Sequence, residues 1–136
     1  MNDHLEQYLI EKFPHYYKDG ERTMQFSHGD GWFWIVFQLS QDLTKADPQR
    51  LVKPLQIKEK LGRFNYYFMI YGTPIDLDIK AFHEKIDKIV KEFTLKADTV
   101  CELCGETYDI KREAPKGGYW IRTLCKQCRD DLAEKE

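Results

Sequence analysis

Leu5, Tyr8, Leu9 and Phe13 recur at three- and four-residue intervals, which places them on one stripe of a helix over residues 2–13. Pro14 is its stop. Tyr16 and Tyr17 suit either a strand or the core, and residues 18–30, polar and carrying Gly20, Gly29 and Asp30, read as a loop. The next segment has two readings. Trp32, Ile35, Val36, Leu39 and Leu43 fit a helical stripe, whereas the unbroken apolar run Trp32–Phe37 also suits a buried strand. Helix is preferred for 30–46, because the pattern persists for about three turns and Asp30 can cap the first free N–H groups. Phe33, Trp34 and Phe37 would then widen the apolar face, and Asp47-Pro48 ends it.

Residues 54–71 switch to a strand pattern. Leu55–Glu59 alternates in part, Lys60-Leu61-Gly62-Arg63 supplies a turn, and Phe64–Tyr71 is rich in aromatic residues. Phe64, Tyr66, Phe68 and Ile70 share one face; Asn65, Tyr67, Met69 and Tyr71 share the other. Both faces are largely apolar, so the strand is expected to be covered twice or to present one face to a partner. A long amphipathic helix over 76–97 follows, with Ile79, Phe82, Ile86, Ile89, Val90 and Phe93 inward and a Lys/Glu/Asp face outward. Asp76 and Asp78 suit its positive end.

Beyond Asp98 the chemistry changes. The four cysteines form a C-x2-C-x20-C-x2-C array at Cys101, Cys104, Cys125 and Cys128. That spacing fits one zinc ion held by four thiolates. Gly105 follows the first pair, Gly117-Gly118 punctuates a stretch long enough for a hairpin, and a helical segment follows the second pair. Knuckle, hairpin and helix in this order predict a treble-clef-like zinc finger. A closed four-thiolate shell leaves no position for a reacting water, so the metal is read as structural. Two disulfides or four free thiols are the competing reading. The expected organisation is an α+β body at 1–98, helices packed on a β-hairpin, followed by a zinc-binding unit at 99–136. So short a unit has too small a core without the metal. Tyr108, Tyr119 and Trp120 are expected to pack back onto the body.

Composition narrows the function classes. The hydrophobic share of 42% and aromatic share of 14% support a folded core, and a net charge of −2 carries no nucleic-acid signature. No apolar run reaches membrane-spanning length. The polar start Met1-Asn2-Asp3-His4 does not read as a signal peptide, which points to a cytoplasmic protein. The cations of the zinc unit are matched by acids one for one. His28, Asp30 and Glu59 could serve acid–base chemistry, but no spacing unites them.

Three pieces carry a resemblance: Gly29-Asp30-Gly31-Trp32, the Gln56–Phe64 stretch QIKEKLGRF, and the C-E-L-C-G…W-I-R-T-L-C ending. In this order they resemble a set of small bacterial and phage proteins with G-D-G-W, Q-x-K-E-K-x-G…R-F-Y and C-x-x-C-G…W-x-x-T-L-C elements. Here the turn at Gly62–Asn65 is shorter, and Cys128 stands where that set often has His. The resemblance implies a fold, a metal and a phage or mobile-element setting, and no catalytic residue. The zinc unit is also similar to the finger of DksA/TraR-type regulators of RNA polymerase.

The first functional expectation is a non-enzymatic zinc protein acting on a macromolecule, most readily another protein. Tyr66, Tyr67, Met69, Tyr71, Tyr119 and Trp120 are the candidate anchors, being types that dominate interface energy. A nucleic-acid-binding or polymerase-associated regulator is the alternative, and a small enzyme or nuclease a third.

Overall fold

The structure, a computed structural model, describes residues 1–19, 22–114 and 120–135. Helix α1 spans Asp3–Lys12 and starts where the Asn2 side chain accepts a hydrogen bond from Leu5 N. Pro14 ends it and opens the one-turn helix α2, Pro14–Tyr17, since proline suits a first helical position. Tyr16 and Tyr17 are therefore core aromatics on a helix.

The segment expected as a loop holds three two-residue strands. Strands β1 (Lys18–Asp19) and β2 (Arg22–Thr23) pair antiparallel, and β3 (Phe26–Ser27) runs parallel to the later strand β4, with Phe26 opposite Ile57. The polar pattern conceals β3 because a partner some thirty residues away in sequence holds it, and Phe26 is its one buried anchor.

A 3-10 turn at Asp30–Trp32 leads into α3, Phe33–Ala46, so the helical reading of this segment holds. Two details differ. Asp30 does not cap its own helix: its carboxylate accepts from Asn2 N at 2.7 Å and Asn2 Nδ2 at 3.0 Å, tying the starts of α1 and α3 together. Trp34 points to solvent, because the buried stripe runs through Phe33, Val36, Leu39, Ser40 and Leu43.

Strands β4 (Val52–Lys60) and β5 (Arg63–Ile70) form the expected hairpin, giving a sheet of order β3-β4-β5. The alternation in β4 is imperfect because the register shifts between Pro54 and Gln56. Val52 and Pro54 point inward before this bulge and Ile57 after it, and Leu55 is left exposed. Pro54, lacking an N–H, sits where a proline costs a strand least.

Helix α4 spans Ile79–Ala97, starting three residues later than the apolar pattern suggested, with Asp78 as its cap through Ala81 N. It packs on α3 and β5 and buries Phe82, Ile86, Val90 and Phe93. The helices cover the Phe64/Tyr66 side of the hairpin, and on the other side Tyr67, Met69 and Tyr71 are exposed among the described residues. Inside, Trp32 meets Phe64 edge-on at 5.7 Å, and the Tyr17 hydroxyl lies 2.6 Å from Ser40 Oγ and 3.0 Å from the Tyr66 hydroxyl. Past α4 come the antiparallel strands β6 (Lys111–Glu113) and β7 (Arg122–Leu124), then α5, Lys126–Lys135.

Candidate metal centre

Among the described residues, the C-terminal segment buries Cys101, Glu102, Thr123, Leu124 and Cys125. Its cluster consists of Cys101, Leu124 and Cys125, with Leu103, Ile110, Cys128 and Leu132 around it. The first cysteine pair lies on a turn closed by Gly105 N donating to Cys101 O at 2.9 Å and by Cys101 N donating to Glu106 O at 2.8 Å. Gly105 has φ +82°, a conformation that favours glycine. The second pair is set by the start of α5, where Cys128 N donates to Cys125 Sγ at 3.4 Å and Arg129 N to Cys125 O at 3.0 Å.

The four Sγ atoms all lie within 4.8 Å of one another, and Cys104 and Cys125 are 3.6 Å apart. A tetrahedron with Zn–S distances of about 2.3 Å has sulfur–sulfur edges of roughly 3.8 Å. The residues therefore fit a four-coordinate ion. All four cysteines are free thiols.

The environment favours ionisation at one sulfur. Burial raises the Cys101 thiol, but N–H donors from Cys125, Cys104 and Leu103 outweigh it and hold the group below its ordinary value. Cys104 and Cys128 are pushed up, first by burial and then chiefly by the neighbouring sulfurs. A dication held by the four sulfurs would reverse that opposition and favour all four as thiolates.

The main body is built to receive this knuckle. Gly31 N donates to Glu102 O at 2.7 Å, Gly29 N to Glu102 Oε2 at 2.9 Å, and Trp32 Nε1 to Val100 O at 2.9 Å. A Cβ on Gly29 would lie 2.5 Å from Glu102 O, and one on Gly31 2.0 Å from Cys101 O. Glu102, buried, also faces Arg122 at 3.6 Å. On the other flank the β4–β5 turn meets the β6–β7 strands. Thr123 Oγ1 donates to Gly62 O, Glu102 N donates to Thr123 O at 3.0 Å, and Trp120 Nε1 donates to Glu59 Oε1 at 3.2 Å. Glu59 Oε2 accepts from Gly62 N at 2.8 Å, which fixes the turn. Arg63 pairs with Asp98 at 2.8 Å, just before the knuckle. Sequence reasoning missed these contacts, although the closely spaced glycines before Trp32 were the available sign that another backbone comes near.

The expected anchors separate. Tyr67, Met69, Tyr71 and Trp120 are exposed, at 39%, 41%, 65% and 68%. Tyr66 is a correction: it faces the core with Phe64, and its hydroxyl is engaged by Tyr17. Tyr119 and Gly117-Gly118 lie outside the described residues. Tyr108 is exposed rather than packed on the body; Trp120 is exposed too but reaches the body through its bond to Glu59, alongside the contacts of Val100, Glu102 and Thr123.

His28, Asp30 and Glu59 are each held in a separate structural contact. His28 Nδ1 donates to Gly29 O at 2.8 Å, Asp30 binds Asn2, and Glu59 binds Gly62 and Trp120. Burial lowers the His28 ring to about 4, which keeps it neutral. In the four-cysteine unit, Arg129 lies 3.4 Å from Asp109 and Lys126 lies 2.7 Å from Asp130. No helix among the described residues is long and apolar enough to cross a membrane. Compared with protein-family models, curated proteins and solved structures, the chain matches none.

Proposed function

We propose that Cys101, Cys104, Cys125 and Cys128 hold one zinc ion in a treble-clef-like unit, and that the ion is structural. We read the protein as a non-enzymatic module that works by binding a macromolecule across the open face of its hairpin. The observation that carries this reading is the division of labour between two faces of β5. Phe64 and Tyr66 face the core, while Tyr67 and Met69, with Tyr71 just past the strand, remain exposed although large and apolar. Residues of this kind dominate binding energy because they bury large area with few rotamers to fix. The metal's task is to complete a body whose turn at Gly62 and helix start at Gly29–Trp32 both rest on the zinc unit.

The test compares wild type with Tyr71→Ala after purification from cells. Both should carry one zinc per chain and unfold together. Only the wild type should retain a co-purifying macromolecule, identified by its ultraviolet absorbance ratio and by mass spectrometry. Equal retention by both proteins would remove the hairpin face from the function.

A further inference from the structure

A groove of about 1080 Å³ runs along β4, between α2 and the 24–27 segment on one side and the exposed tyrosines on the other. Its described walls include Tyr67, Tyr71, Lys18, Arg50 and Lys53, and no Asp or Glu appears among its described lining residues. Lys53 Nζ lies 5.5 Å from the Tyr71 ring centre, and Lys58 Nζ lies 5.9 Å from that of Tyr67. Cation and ring thus alternate across the two strands. By strand rise, Tyr67 and Tyr71 stand roughly 13 Å apart along the chain, which makes two separate stacking platforms.

Arg50 is presented into this groove at a conformational cost. Its φ is +58°, in the left-handed region that a long side chain seldom occupies. Asp47 holds it there. Arg50 N donates to Asp47 O at 3.2 Å, and the buried Asp47 carboxylate accepts from Leu51 N at 2.7 Å, Val52 N at 3.0 Å and the Tyr16 hydroxyl at 2.9 Å. The buried acid holds the loop backbone, and the exposed Arg50 side chain, beside the groove, also reaches the Tyr16 hydroxyl that Asp47 holds.

We propose that this groove binds single-stranded nucleic acid, with Tyr67 and Tyr71 stacking on splayed bases and Arg50, Lys18, Lys53 and Lys58 following the phosphates. Basic grooves with interleaved aromatic rings bind single strands, because every base offers a face to stack on while the backbone supplies regular charge. A duplex keeps its bases stacked on one another and would leave the tyrosines unused. An acidic peptide would satisfy the cations and likewise leave the rings unused. The proposal rests on the reading of the open hairpin face as the working surface, and it names the partner.

The experiment is fluorescence anisotropy of zinc-loaded, full-length protein with labelled dT12, rU12 and a 12-base-pair duplex, at 50 and 200 mM salt. Single strands should bind at least tenfold more tightly than the duplex, and the ratio of dT12 to rU12 affinity separates DNA from RNA as the natural ligand. The log–log salt slope should be about −2 to −3, since each phosphate neutralised on a single strand contributes roughly −0.7. Tyr67→Ala and Tyr71→Ala should each weaken binding by about tenfold. Arg50→Gln should flatten the slope by about 0.7. Zinc content and circular dichroism certify each fold, and Lys58→Gln, a surface change, serves if Arg50→Gln does not fold.

Duplex binding equal to single-strand binding would overturn the proposal. So would tyrosine variants that bind as wild type, or competition by polyglutamate as strong as by dT12. A second arm, capture from nuclease-treated lysate by wild type and by Tyr71→Ala, separates the two layers. Tyr71-dependent protein capture without oligonucleotide binding removes nucleic acid and keeps the hairpin face. Loss of Tyr71 dependence in both arms removes both.

Discussion

Gly31 stands so close to Cys101 that a methyl group on its α-carbon would sit 2.0 Å from the Cys101 carbonyl oxygen. The glycine is thus explained by the four-cysteine unit seventy residues further on, whose knuckle lies on the backbone of the turn before α3. The Gly31 N to Glu102 O bond and the Trp32 Nε1 to Val100 O bond hold the two surfaces together.

Gly31→Ala should therefore separate the knuckle from the body. Backbone cannot yield as a flexible side chain does, so the expected cost is about 2 kcal/mol or more. Gly72→Ala is the control, because that glycine has φ +96° but its nearest obstacle is 3.6 Å away, in ordinary contact. Its cost should be nearer 1 kcal/mol, from backbone conformation alone. Denaturant titration of both variants measures the difference, and equal costs would refute close packing at Gly31.

Tyr66 and Tyr67 are neighbours with opposite assignments. Tyr66→Phe removes a hydroxyl bonded to Tyr17 in the core and should cost about 1 kcal/mol of stability. Its affinity for dT12 should be unchanged. Tyr67→Ala should do the reverse, weakening dT12 binding with little effect on the unfolding midpoint. Paired titrations on the two variants check the contrast.

His28 gives the fold an acid sensitivity. Burial lowers its folded value to about 4, against an ordinary 6.5. Between these values the unfolded chain takes up a proton that the folded chain refuses. Stability is therefore intact above pH 6.5 and falls as pH drops through that window, by about 3 kcal/mol at pH 4. His28→Phe keeps an aromatic ring beside Phe26, Trp32 and Phe64 but cannot titrate. The stability difference between the two proteins should shift by about that amount from pH 7 to pH 4. A difference constant with pH would exclude a buried neutral imidazole.

The legible parts of this chain were those written in local periodicity or in cysteine spacing. The helical stripe through Ile35, Leu39 and Leu43, the alternation Phe64/Tyr66 and the two C-x-x-C pairs each state their partners within a few residues. What stayed hidden depends on distant partners. Phe26 becomes a strand only beside Ile57. Trp34 falls off the buried stripe although its type suits the core. The roles of Gly29, Gly31, Glu59, Gly62 and Thr123 emerge only when the knuckle is in place. The groove was invisible for a related reason: net charge sums the chain, whereas Lys18, Arg50 and Lys53 are gathered by folding.

Metal content bears most directly on the account. Protein purified under reducing conditions should contain one zinc per chain by elemental analysis. Chelation should release that zinc together with four reactive thiols, and the loss should loosen protection against hydrogen exchange at Gly31 and Gly62 as well as in the cysteine segment. A preparation without metal whose residues 26–64 stay fully protected would contradict both the zinc site and its part in holding the fold.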